Sequence, residues 1–139
     1  MLHHLGSCHC GNIRFQATLP SSLGTYQPRA CDCDFCQKHG AAYVSDPAGE
    51  VVFDVADSNL LSTYRQGSGT AGFLLCKACG VVVGVNYNES AAQYAALNAR
   101  AFADYALFGE GVTVSPKQLS GDDKKKRWSE VWFRKVAFR

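Results

Sequence analysis

Seven cysteines fall in three short clusters: Cys8-His9-Cys10-Gly11, Cys31-Asp32-Cys33-Asp34-Phe35-Cys36 and Cys76-Lys77-Ala78-Cys79-Gly80, with no cysteine elsewhere. Two clusters carry two thiols and one carries three. A structural zinc takes four protein ligands, whereas a reactive zinc keeps a coordination position open. Four thiols plus three match that division. The spacing therefore predicts two zinc ions, one closed and one with a vacancy that makes it the more labile.

A disulfide framework is the rival reading. Seven is odd, so pairing leaves a thiol over. Cys8/Cys10 and Cys31/Cys33 are also too close in sequence to bridge without strain. The opening MLHHLGSCHCG has no basic stretch followed by an apolar one, so nothing there marks the chain for secretion. A cytoplasmic location is expected, and thiols in a reducing cytosol more often bind metal or do chemistry.

Cys76-x-x-Cys79-Gly80 reads as a zinc knuckle: two intervening residues let both sulfurs face one ion, and Gly80 supplies the positive φ the turn needs. Cys8-x-Cys10-Gly11 is a tighter version, with i and i+2 thiols projecting the same way from an extended segment. Joined, Cys8, Cys10, Cys76 and Cys79 make a four-thiolate structural site. The competing redox reading of Cys76/Cys79 needs a helix opening in an α/β context, which the surrounding pattern lacks.

Cys31, Cys33 and Cys36 can wrap one ion unaided. Its fourth ligand is either water or substrate, leaving the site reactive, or His39, closing a three-cysteine, one-histidine structural site. On an extended segment Asp32 and Asp34 turn away from the thiolates. His3, His4 and His9 read as surface residues. An open three-thiolate zinc is a blunted Lewis acid and a poor source of hydroxide. A further thiol entering there still loses its proton, so the site favours sulfur attack on an electrophilic carbon over hydrolysis. His39, with an ordinary pKa near ~6.5, is the candidate catalytic acid. Lys38, Arg29 and Arg65 are candidates to hold a carboxylate-bearing thiol.

The elements that must position these groups read mostly as strands. Residues 12–19 (NIRFQATL) alternate Ile13, Phe15 and Ala17 against polar neighbours, and residues 50–55, 60–65 and 81–87 are short, β-branched or aromatic, and bounded by Gly, Asp, Ser and Asn. Residues 67–72 form a glycine-rich loop just before the third cluster. Residues 91–108 begin as a strand and end in a short helical turn over 104–108. Residues 128–138 close the sheet. The expected fold is mainly β, with small antiparallel sheets stapled by zinc, in one domain of residues 1–139.

No apolar run approaches the ~20 residues a membrane helix needs. The net charge of +2 is uneven: residues 124–139 hold seven basic side chains and one acidic. Two zinc ions and seven thiolates bring the whole to about −1. The run Lys124-Lys125-Lys126-Arg127 reads as a solvated turn ahead of a final strand, and nucleic acid is not an expected partner.

The order CHCG-x-IRF, then CxCxxC, then a Phe followed by CxxCG resembles the glutathione-dependent formaldehyde-activating enzyme family, which also includes centromere protein V. The matching residues are 8–15, 31–36 and 73–80, anchoring about residues 3–110 and leaving 111–139 peripheral or closing the sheet. The resemblance implies a fold akin to methionine-R-sulfoxide reductases, with Cys8, Cys10, Cys76 and Cys79 structural and Cys31, Cys33 and Cys36 at the catalytic zinc. It implies a carbon–sulfur lyase with glutathione as co-substrate, joining that thiol to a small aldehyde such as formaldehyde. Many relatives carry a basic residue directly after CxCxxC; here Gln37 comes first and Lys38 second. The alternative is a non-catalytic zinc module that carries glutathione or binds a protein or nucleic acid through residues 124–127.

Overall fold

The computed structural model describes residues 1–139. Its strands are β1 (Leu2–Ser7), β2 (Ile13–Leu19), β3 (Arg29–Cys31), β4 (Ala42–Val44), β5 (Glu50–Val55), β6 (Leu61–Arg65), β7 (Gly72–Cys76), β8 (Val82–Glu89), β9 (Ala92–Asn98), β10 (Val112–Val114) and β11 (Lys135–Phe138). Two helices interrupt them, α1 (Asp34–His39) and α2 (Gly121–Val131). The fold is mainly β, in two sheets: a four-stranded one ordered β1-β2-β5-β11 and a seven-stranded one ordered β10-β3-β4-β9-β8-β7-β6.

Burial follows the alternation. In β2, Ile13, Phe15, Ala17 and Leu19 are buried while Arg14 and Gln16 are exposed, as period two requires of a half-covered sheet. The Phe15 ring meets Phe53 of β5 and Phe102 edge-on, at centroid distances of 6.3 and 5.0 Å. Val83, Ala95 and Leu97 of the larger sheet join the same core. A second core gathers Cys36, Tyr43, Phe73, Trp128 and Trp132.

Most pairings are antiparallel, but the last third of the chain adds two parallel ones. Strand β10 lies beside β3 with Val112 opposite Arg29. Strand β11 lies beside β5 with Lys135 opposite Glu50. The C-terminal segment thus contributes an edge strand to each sheet.

Between those two strands the expected turn and long strand are replaced by a helix. Residues 124–127 lie within α2, and of residues 128–138 only Lys135–Phe138 is strand. The helix starts where Ser120 Oγ accepts from Asp123 N at 3.1 Å, with Asp122 and Asp123 in its first turn. Those are favourable features at a helix N-terminus. Its Trp128 stacks on Trp132 at 4.9 Å and meets Tyr87 at 5.3 Å, so helix packing onto the sheet outweighs the strand tendency of the aromatics. The turn expected over 104–108 is a 3-10 turn at Tyr105–Leu107. No helix is long and apolar enough to cross a membrane.

Candidate metal centres and active site

All seven cysteines are free thiols, and their sulfurs gather in two groups. In the first, the sulfurs of Cys8, Cys10, Cys76 and Cys79 lie within 4.8 Å of one another. Cys10 Sγ is 3.7 Å from Cys8 Sγ and 3.6 Å from Cys76 Sγ. A tetrahedral zinc with Zn–S bonds of about 2.3 Å has S–S edges of about 3.8 Å, so this group fits the ion.

Each half of the group is the turn of a hairpin. Cys8 N donates to Ile13 O at 2.9 Å and Ile13 N donates to Cys8 Sγ at 3.4 Å, closing the β1–β2 turn. Cys76 N donates to Val81 O at 3.1 Å and Gly80 N to Cys76 O at 2.8 Å, closing the β7–β8 turn. Gly11 and Gly80, at φ 85° and 77°, follow the second thiol of each pair in the left-handed region that an L side chain avoids. The four sulfurs therefore tie a turn of one sheet to a turn of the other. Burial opposes ionisation of the Cys79 thiol, but donors from the Cys10 and Val81 backbone and from Cys76 and Cys8 hold it down at about 6.

The second group is Cys31, Cys33 and Cys36, again with sulfurs within 4.8 Å of one another. Cys31 ends β3, Cys33 caps α1 and Cys36 sits in its first turn. The Cys33 sulfur accepts from Cys36 N at 3.4 Å, so the cap and the ligand are the same atom. The Cys36 thiol donates toward Cys31 and, with help from the Cys33 backbone and thiol, outweighs burial to hold Cys31 down at about 6. Tyr43 places its hydroxyl 3.4 Å from Cys36 Sγ. Burial, reinforced by the neighbouring Cys36 sulfur, pushes that phenol well above its ordinary range.

Asp32 and Asp34 do point elsewhere, though Asp34 does so from a helix rather than a strand: it is the exposed first residue of α1. Asp32 Oδ2 accepts from Ser115 Oγ and faces Lys117 Nζ at 3.9 Å.

The three thiols line a cavity of about 140 Å³. Tyr43, Phe73, Trp128 and Trp132 supply aromatic wall, and Arg29, Lys117, Lys124 and Arg127 supply positive charge. Residues 66–68 of the glycine-rich loop complete it, with Gln66 Nε2 donating to Cys33 Sγ at 3.7 Å. Arg29 Nη2 donates to Ser45 Oγ at 2.6 Å. Burial, and then the nearby charge of Arg127, lowers the Arg29 guanidinium to about 10.

Of Lys38, Arg29 and Arg65, the candidates to hold a carboxylate-bearing thiol, Arg29 alone lines the cavity. Lys38 is exposed on α1, and Arg65 braces the loop by donating to Thr70 O at 3.0 Å. His39 is exposed at the end of α1 and is not among the lining residues. Its ring lies 4.6 Å from that of Phe35, which in turn lies 4.5 Å from Phe73. His3 hydrogen-bonds Thr18 Oγ1 at 3.0 Å and belongs to neither sulfur group.

The residues that sequence reasoning missed come mainly from α2. Lys124, Arg127, Trp128, Val131 and Trp132 recur at three- and four-residue steps, one face of a helix. Lys124 and Arg127 are thus drawn to the cavity instead of forming a solvated basic patch with Lys125 and Lys126.

A family model described as glutathione-dependent formaldehyde-activating enzyme matches residues 3–117. A crystal structure of a Rhodobacter sphaeroides protein superposes with a TM-score of 0.55 at 20% identity, covering 97% of this chain and 99% of that one. At that identity the likeness speaks for the fold.

Proposed function

Because the chain belongs to the glutathione-dependent formaldehyde-activating enzyme family, we propose that it is a zinc-dependent carbon–sulfur lyase. It forms or cleaves the C–S bond between a thiol such as glutathione and a small aldehyde such as formaldehyde. The observation that carries this reading is the opening of the Cys31, Cys33 and Cys36 sulfurs onto a positively charged cavity. A sealed structural site has no use for such an opening. A zinc ion held by these three thiols would keep one position for a substrate thiol and lower that thiol's pKa below its free value of about 8.5. The four-thiol group would hold a second zinc whose role is structural.

The chain's own residues supply the rest. Lys117, which is exposed, and Lys124, which is half-buried, line the cavity and are placed to meet the carboxylates of glutathione. The aromatic walls exclude water from the reacting carbon. As sulfur adds to the carbonyl carbon, the C=O π pair moves to oxygen, which finally takes the proton released by the thiol. Tyr43 stays protonated, so its O–H can donate to that oxygen as charge develops there. His39 is assigned no contact with substrate.

The test is exchange of the hydroxymethyl group between glutathione and formaldehyde, followed by NMR with zinc-replete protein against the uncatalysed rate. Exchange should quicken, and glutathione should bind with zinc in the three-thiol site. Neither binding nor acceleration by fully loaded protein would refute the reading.

A further inference from the structure

The cavity is more apolar and more positive than the two substrates so far named require. Formaldehyde has two heavy atoms, whereas a cavity of about 150 Å³ is known to hold a benzene ring, and this one measures about 140 Å³. Glutathione has no apolar side chain to cover Tyr43, Phe73, Val85, Trp128 and Trp132, all of which line it. Something with a flat apolar body fits those walls, since rings stack well on aromatic side chains.

Charge gives the second requirement. Arg29 and Arg127 line the same cavity, and neither is paired with a carboxylate, because the chain's one ion pair joins Lys117 to Asp32. Arg29 uses a single hydrogen bond, to Ser45 Oγ, although a guanidinium has five N–H donors. Arg127 has no side-chain hydrogen bond at all. Partly buried cations are costly to hold in place unless offset, and against four basic side chains the lining sets no carboxylate, only the three cysteine sulfurs. A fold that places two guanidinium groups there leaves room for an anion, and their planar forks suit a carboxylate. Arg127 and both tryptophans lie beyond residue 117, where the match to the family model ends.

We propose that the carbon partner taken by this cavity is an aldehyde of about one aromatic ring in size that carries a carboxylate. The anion sits between Arg29 and Arg127 and the ring lies against Trp128 and Trp132. The proposal rests on the reading of the three-thiol site as the place where sulfur meets carbon. The step is an addition: the thiol sulfur bonds to the aldehyde carbon, the C=O π pair moves to oxygen, and the thiol's proton ends on that oxygen. The product is a hemithioacetal, and nothing is oxidised or reduced.

Trp128 and Trp132 are the chain's two tryptophans, so its indole fluorescence reports on this cavity. The zinc-loaded protein is titrated with benzoate and with benzamide, its neutral counterpart of the same shape. Benzoate should change the emission saturably and bind at least about tenfold tighter than benzamide, the scale of one charge-assisted hydrogen bond. Arg127→Gln should bring benzoate to the level of benzamide while the melting temperature holds. Arg29→Lys is the second variant, retaining the charge but losing the fork, and should weaken benzoate several-fold. Exchange of glutathione with 4-carboxybenzaldehyde should be accelerated more than exchange with benzaldehyde. Equal binding of benzoate and benzamide, or benzoate binding indifferent to both arginine changes, would overturn the proposal. Exchange with formaldehyde, run alongside, separates the two readings. Acceleration there without charge-dependent benzoate binding sinks this inference alone. Charge-dependent binding without any exchange supports the anion pocket and refutes the lyase.

Discussion

Cys33→Ser and Cys79→Ser each remove one sulfur, and their outcomes should differ sharply. Cys79 belongs to a group whose sulfurs come from segments 66 residues apart, Cys10 to Cys76, and join a turn of each sheet. Zinc in such a site is worth about 10–16 kcal/mol in small folding units, while a whole domain is stable by only about 5–15 kcal/mol. Losing even half of that term leaves Cys79→Ser unfolded or molten. Cys33 sits within a six-residue stretch, so an ion there joins no distant segments. Its second job is capping α1, where its sulfur accepts from Cys36 N at 3.4 Å, and serine is among the best residues for that position. The cost should be about 1 kcal/mol or less, a fall in melting temperature of about 3–5 °C for a chain of this length. Thermal melts, paired with metal analysis after gel filtration, decide it. Cys33→Ser should keep one tightly held zinc and its fold, and Cys79→Ser should keep neither. Equal destabilisation of the two would refute the division into a structural and a reactive site.

Two further outcomes follow from placement. His39→Gln should leave the rate of thiol–aldehyde exchange unchanged, since the ring lies against Phe35 outside the cavity; a loss of tenfold or more would return the acid role to this histidine. Phe133→Ala should cost about 3–5 kcal/mol in a urea melt, because that fully buried ring bridges the sheets beside the paired Phe133 and Ala95 backbones. Zinc content should stay at two in the folded fraction, and loss of metal would show that the ring supports a site rather than the core.

Strands β2, β5, β6, β8 and β9 were legible because they are short, β-branched, aromatic or alternating, and bounded by turn residues, whereas β1, β3, β4, β7 and β10 were not read. Ile13, Phe15, Ala17 and Leu19 all face inward, as their spacing implies. The knuckle glycines were equally readable, since Gly11 and Gly80 sit where only a positive φ closes the turn. Helix α1 was hidden because its six residues are mostly ligands and charges, with too few apolar positions to set a period. Helix α2 was hidden by competing signals. The aromatic and β-branched residues of 128–138 suggest a strand without a clean period of two, while Lys124, Arg127, Trp128, Val131 and Trp132 step like a helix, and Ser120 with Asp123 marks its start. The parallel pairs β10–β3 and β11–β5 join residues some eighty positions apart, and no local pattern encodes such partners. The cavity's charge was out of reach for the same reason: Arg29 and Arg127 meet only after the sheets are assembled.

The order of parts along the chain has a consequence for how the protein is made. Every sulfur lies at or before Cys79, whereas Val114, Lys117 and all of α2 come later. At about 5–20 residues per second, the roughly 60 residues after Cys79 take several seconds to synthesise. During that interval both sets of thiols exist while the walls supplied by α2 do not. The nascent chain can therefore receive metal through an open face before α2 completes the cavity.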